Sequence, residues 1–166
     1  VGVVGAAVLA AAGGTLAFIQ PARRNAAFTQ PAQEMLRAVA RAVLGSLLPA
    51  PAASESAALD AHLSRLQTTI SGMPTAMQAE VDELLTILSS TTGRRVLAGL
   101  GQAWASAPPA EVTAALQDMR SSSLSLRQQA FHALRDLTNA AYFADPSTWS
   151  VIGYPGPRDL QTAAPA

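Results

Sequence analysis

The sequence contains no cysteine and no lysine. Without cysteine there can be no disulfide, thiolate metal site, c-type haem attachment or cysteine nucleophile. Without lysine there can be no phosphate-loop lysine, Schiff-base lysine or Ser-Lys dyad. All eleven basic residues are therefore arginine, and they balance eleven carboxylates to a formal net charge of zero. A neutral chain carries no electrostatic footprint for nucleic acid, and none is expected as a partner. Aromatic residues are scarce, at eight in 166. Period-two alternation and Asn-Gly or Asp-Gly turns are missing as well, so no segment reads as a strand.

What is present is helical periodicity. Residues 31–48 carry Met35 or Leu36, Val39, Val43 and Leu47 at helical spacing, with Pro49 and Pro51 closing the run. Residues 56–71 carry the stripe Leu59, Leu63, Leu66 and Ile70, with Asp60 in the first turn and Gly72 after the last. Thr75 and Gln78 have capping-box spacing. The helix they open, to Ser89, would bury Met77, Val81, Leu84 and Leu88 and leave Glu80, Asp82 and Glu83 outside. A helix over 90–106 follows, striped by Val96 or Leu97, Leu100 and Trp104. Pro108-Pro109 breaks it and begins another, through Val112, Leu116 and Met119 to Arg120. The last long helix covers 124–142, with Phe131, Leu134, Thr138 and Ala141 on one side. Short loops marked by Pro or Gly make this an all-α antiparallel helical bundle over residues 23–141.

Residues 1–19 carry no charge, and Thr15 is their one polar side chain of note. As a helix they would span roughly 28 Å, about the thickness of a bilayer's hydrocarbon core. Their mild Ala, Gly and Val composition is that of an export signal's apolar region. Arg23-Arg24 follows the run, whereas a twin-arginine pair precedes one, and by charge bias this flank would prefer the cytoplasmic side. Residues 1–22 are read as a signal-like or anchor helix, with a retained anchor or a partner-sheltered helix favoured over a discarded signal. A buried helix of the bundle is the other reading. Residues 20–29 form a connector, because Pro21 cannot continue the first helix.

Residues 142–166 are read as an irregular aromatic strap and tail. Asp145-Pro146 is a helix-start signal, a capping carboxylate before Pro at the first helical position. Gly153 can stop that short turn, and Tyr154-Pro155-Gly156 suits a type II turn. Tyr142, Phe143, Trp149, Ile152 and Tyr154 can be fixed only by burial, either against this chain's own helices or against a partner. Arg94 and Arg95, placed at a helix start, oppose the dipole and hint at a carboxylate partner, with a solvated pair as the plainer alternative. His62 is expected to be exposed, and His132 to pack beside Phe131. Neither has a carboxylate at metal-ligand spacing. Gly99-Leu100-Gly101 lacks the third glycine of a dinucleotide fingerprint and a preceding strand. No acid pair or nucleophile–base set appears, so no catalytic, cofactor or metal residue is assigned.

Residues 142–146, Trp149 and residues 152–157 resemble the C-terminal signature of the gluconate 2-dehydrogenase subunit 3 family. These are the small subunits of bacterial membrane-associated flavin dehydrogenases. The resemblance is sharp over about sixteen residues and architectural over the hundred or so before them. It implies a non-catalytic subunit that carries no flavin. Such a subunit binds a large flavoprotein of the glucose-methanol-choline type, which holds FAD, and supports its export and maturation. It further implies a twin-arginine export signal, a periplasmic, membrane-associated location, and electron transfer to a cytochrome c subunit or to quinone. Two departures stand out. Only Ser147-Thr148 separates Asp145-Pro146 from Trp149, where family members often carry a Gly- and Asn-rich insert. The mid-chain cysteine of some relatives is missing, so no disulfide to the partner is implied. A stand-alone membrane-tethered helical binding module is the alternative of a different class.

Overall fold

The structure, a computed structural model, describes residues 20–157. The expected apolar helix at 1–19 and the tail at 158–166 lie outside the described residues. Among the described residues the fold is all-α apart from one two-residue strand pair.

That pair is the first departure from expectation, because it occupies the supposed connector. β1 (Arg23–Arg24) and β2 (Ala27–Phe28) are antiparallel, with Arg23 opposite Phe28 and Arg24 opposite Ala27. Asn25 (φ 50°) and Ala26 (φ 63°) supply the two left-handed residues that a two-residue hairpin of this hand needs. Alanine in the second place hides the turn from sequence, because glycine is the usual signal. The hairpin is held by tertiary contacts. The Ala22 N–H donates to Thr86 Oγ1 at 2.9 Å, and the Arg23 guanidinium meets Asp82 at 3.2 Å and Ser71 Oγ at 3.3 Å. Asp82, expected on a solvated face, is thus an ion-pair partner of a side chain only 5% exposed.

α1 (Gln30–Leu44) is the central helix and touches each of the other four long helices. Met35, Leu36, Val39 and Leu44 are buried, and Ala32, Ala38 and Ala40 let neighbours approach closely. It ends earlier than the periodicity suggests. Gly45 turns to φ 51° and a short 3₁₀ turn (Gly45–Leu47) follows. α2 (Ala52–Ser71) starts four residues before the expected boundary and buries the expected stripe of Leu59, Leu63, Leu66 and Ile70.

α3 (Thr75–Ser89) buries Leu84, Leu85, Ile87 and Leu88, while Met77 is exposed. The capping box does not form. Pro74 is the N-cap residue, and the Gln78 amide instead donates to the Ser71 and Met73 carbonyls beyond the end of α2.

The helix expected over 90–106 is much shorter. The Ser90 hydroxyl caps a single turn (Thr91–Gly93), which runs into a π-helical turn (Arg94–Ala98) closed by left-handed Gly99 (φ 72°). Trp104 is buried from the loop that follows, its indole N–H donating to the Leu88 carbonyl at 2.8 Å. α4 (Pro109–Arg120) and α5 (Ser125–Phe143) then complete the main core. A smaller core of Ala40, Leu44, Leu59 and Tyr142 lies beside it. A 3₁₀ helix (Pro146–Ile152) follows α5, capped by Asp145 as expected and ended by Gly153 (φ 71°).

Candidate functional site

The C-terminal end of α5 explains what the aromatic residues after it do. A helix leaves its last four carbonyls without intrahelical donors. Here each finds one. Ala140 O accepts from the Ala144 N–H at 3.0 Å. Ala141 O accepts from Arg65 Nε at 2.9 Å. Tyr142 O accepts from the Asp145 N–H at 3.3 Å and from Thr148 Oγ1 at 3.2 Å. Phe143 O accepts from the Trp149 indole N–H at 2.8 Å. Residues 144–149 are therefore the cap of α5, folded back on its end.

The five aromatic and aliphatic docking candidates divide accordingly. Tyr142 is buried in the smaller core, with its hydroxyl donating to the Leu47 carbonyl at 3.1 Å. Phe143 is half-buried and meets Tyr142 edge-on at 5.1 Å between ring centres. Trp149 is half-buried, with Tyr154 tilted against it at 5.4 Å. Ile152 (55% exposed) and Tyr154 (46%) face outward, and Val151 (56%) joins them. Gly156, at φ 95°, lies against the Trp149 ring, where a Cβ would come within 3.4 Å of it.

Electrostatics ties this segment to α2. Arg65 reaches Asp145 at 3.1 Å while its Nε caps Ala141. The Ser147 hydroxyl and N–H, helped by the Arg65 charge, hold the Asp145 carboxyl below its ordinary range. Sequence reasoning passed over Arg65 and Thr148. A cation near a helix C-terminus is a familiar signal, but Arg65 belongs to another helix and only packing brings it there.

The arginine pair is placed differently from its expectation. Arg94 begins the π-helical turn and is buried, its Nε and NH2 donating to the Leu100 (3.3 Å) and Gly101 (3.4 Å) carbonyls. Arg95 is exposed. Arg127 reaches the same turn from α5, donating to the Leu97 carbonyl at 2.7 Å and to Ser122 Oγ at 3.5 Å.

Of the two histidines, His62 departs from its expected exposure, while His132 packs beside Phe131 as expected but from an exposed position. His62 is 2% exposed and its Nδ1 has no partner, whereas His132 is exposed, its ring edge-on to Phe131 at 5.3 Å. Burial first, then the nearby Arg65 charge, pushes the His62 imidazole down to about 4. The stripe of α2 predicted by leucine spacing is wider than its leucines, and His62 sits next to Leu63 on the wider face.

Among the described residues no three His, Cys, Asp or Glu side chains gather as a metal would need. Two open grooves of about 260 and 250 Å³ lie against α1, one between the hairpin and α2, the other beside Trp104 and α4. The charged groups of the first are already paired, Arg37 with Asp60, and Gln33 donates to the Phe28 carbonyl. No family model, curated protein or solved structure matches the chain.

Proposed function

We propose that this chain is the non-catalytic small subunit of a membrane-associated, periplasmic flavin dehydrogenase. In this reading it binds a large flavoprotein of the glucose-methanol-choline type and supports that subunit's export and maturation. FAD belongs to the large subunit, and haem c to a third subunit where one is present. Residues 1–19 act as the signal-like or anchor run, and residues 142–157 as the aromatic docking element. The observation that carries the reading is the outward row of Val151, Ile152 and Tyr154. It sits in the same short segment whose sequence resembles the family. Exposed apolar side chains backed by a packed aromatic make an interface anchor, where one or two residues carry most of the affinity.

The test replaces two exposed side chains that the fold does not need. The double variant Ile152→Asp, Tyr154→Ala should keep the helical circular dichroism of the parent. It should weaken association with the co-expressed flavoprotein by about 30- to 1000-fold. Undiminished co-purification of the yellow, flavin-bearing subunit would remove the docking role. Stoichiometric flavin on the isolated chain after gel filtration would remove the whole assignment. A colourless monodisperse monomer with no co-purifying chain would support the stand-alone module instead.

A further inference from the structure

The opposite end of α5 carries a second surface, with different chemistry. Among the described residues, Arg23, Arg37, Arg41, Arg65 and Arg135 each pair with a carboxylate. Four of the remaining arginines, Arg94, Arg95, Arg120 and Arg127, belong to the π-helical turn and the junction of α4 with α5. The stretch from 94 to 127 has only Glu111 and Asp118 as carboxylates. Arg95 and Arg120 are exposed. The two most exposed large apolar side chains among the described residues stand among them, Val96 (68%) and Leu124 (63%). Arg127 joins their neighbourhoods, because it bonds the carbonyl of Leu97 and the hydroxyl of Ser122. Arginines interspersed with outward apolar side chains suit an anionic boundary with an apolar interior.

We propose that this face rests on the anionic phospholipid headgroups of a bilayer. The inference rests on the membrane-associated reading above. What favours lipid over an acidic protein is the path of the chain. The uncharged run 1–19 joins the described structure at Gln20, and the Ala22 N–H is fixed to Thr86 Oγ1. Thr86 lies one helical turn before the end of α3, and residues 91–98 follow after the single extended residue Ser90. An apolar run held in a bilayer therefore keeps the π-helical turn close to the headgroup layer. There the exposed Arg95 and Arg120 add to the attraction, while Val96 and Leu124 enter the apolar boundary.

The full chain is floated with vesicles of phosphatidylcholine alone and with vesicles containing about one-third phosphatidylglycerol. The ratio of the two partition coefficients cancels the contribution of residues 1–19. That ratio should be about tenfold or more and should fall toward one at high salt. Arg95→Gln with Arg120→Gln should lower it about tenfold. Arg37→Gln with Arg41→Gln, which removes the same two charges on α1, should leave it intact. A ratio near one for the parent chain, or a double variant that keeps the parent's ratio, overturns the proposal. If the double variant releases the flavoprotein while the lipid ratio is near one, the face serves an acidic protein surface. Because the readout uses neither flavin nor the partner, its failure leaves the docking of residues 151–154 to be judged separately.

Discussion

The two ends of α5 solve the same problem by different means. Each must close a helix, satisfy its backbone groups and pass the chain on. The C-terminal end uses side chains that arrive after the helix, Thr148 and Trp149, together with Arg65 from a neighbour. The N-terminal end packs against the π-helical turn, where Arg127 ties the Leu97 carbonyl and Arg94 ties the Leu100 and Gly101 carbonyls just beyond it. Both ends leave large apolar side chains outside. At one they stand on an aromatic platform, at the other among arginines. The lesson is that exposure alone does not specify a partner. The groups beneath and around the exposed side chain do.

If the contrast is right, the largest effect comes from steric closure beside the arginine-rich end. Gly93 is buried where α3 gives way to the π-helical turn, and a Cβ built there collides with the Ile87 backbone carbonyl. Gly93→Ala should therefore cost about 3 kcal/mol or more, because backbone rather than a flexible side chain must move. Urea denaturation should show the midpoint falling sharply. A loss under about 1 kcal/mol would mean that this turn yields easily and that the contrast is false.

The next effect belongs to the other end and depends on pH. His62, one helical turn from Arg65, has a folded pKa near 4 against an ordinary 6.5. Between those values the unfolded chain binds a proton that the folded chain refuses, so stability rises with pH across the window. The contribution is complete above pH 6.5 and diminished by about 3 kcal/mol on reaching pH 4. His62→Leu should flatten that slope without loss at pH 7, because Nδ1 has no partner to forfeit. An unchanged slope in the variant would assign the acid sensitivity to the carboxylates.

The smallest effect tests the cap itself. Trp149→Phe removes the N–H that satisfies the Phe143 carbonyl and keeps most of the ring packing. It should cost about 1 kcal/mol and leave affinity for the proposed flavoprotein partner nearly unchanged, because Trp149 then serves α5 rather than that partner. A large loss of binding with intact stability would instead make its indole a direct contact.

Much of this architecture was legible in the sequence. The leucine stripe of α2, the proline that opens α4, and the Asp145-Pro146 start with its Gly153 stop all express local rules. Each depends on residues within a few positions of one another. The misreadings share one cause. The capping box at Thr75 failed because Gln78 found better acceptors at the end of α2. The helix over 90–106 was cut short at Gly99, and the buried guanidinium of Arg94 satisfied the loop carbonyls beyond it. The hairpin at Asn25-Ala26 formed without glycine because Thr86, Asp82 and Ser71 hold its strands from outside.

By itself the sequence determined the all-α class, the faces of α2, α4 and α5, and the start and stop of the segment after α5. It also excluded thiol and lysine chemistry. Only the tertiary structure decided which histidine is buried, which arginines stay free of carboxylates, and which of the clustered aromatics face outward. The physical reason is range. Periodicity and capping act over three or four residues, where the chain's own geometry sets the distances. Burial and ion pairing join residues such as Arg65 and Asp145, eighty positions apart, whose separation is fixed only when the helices pack.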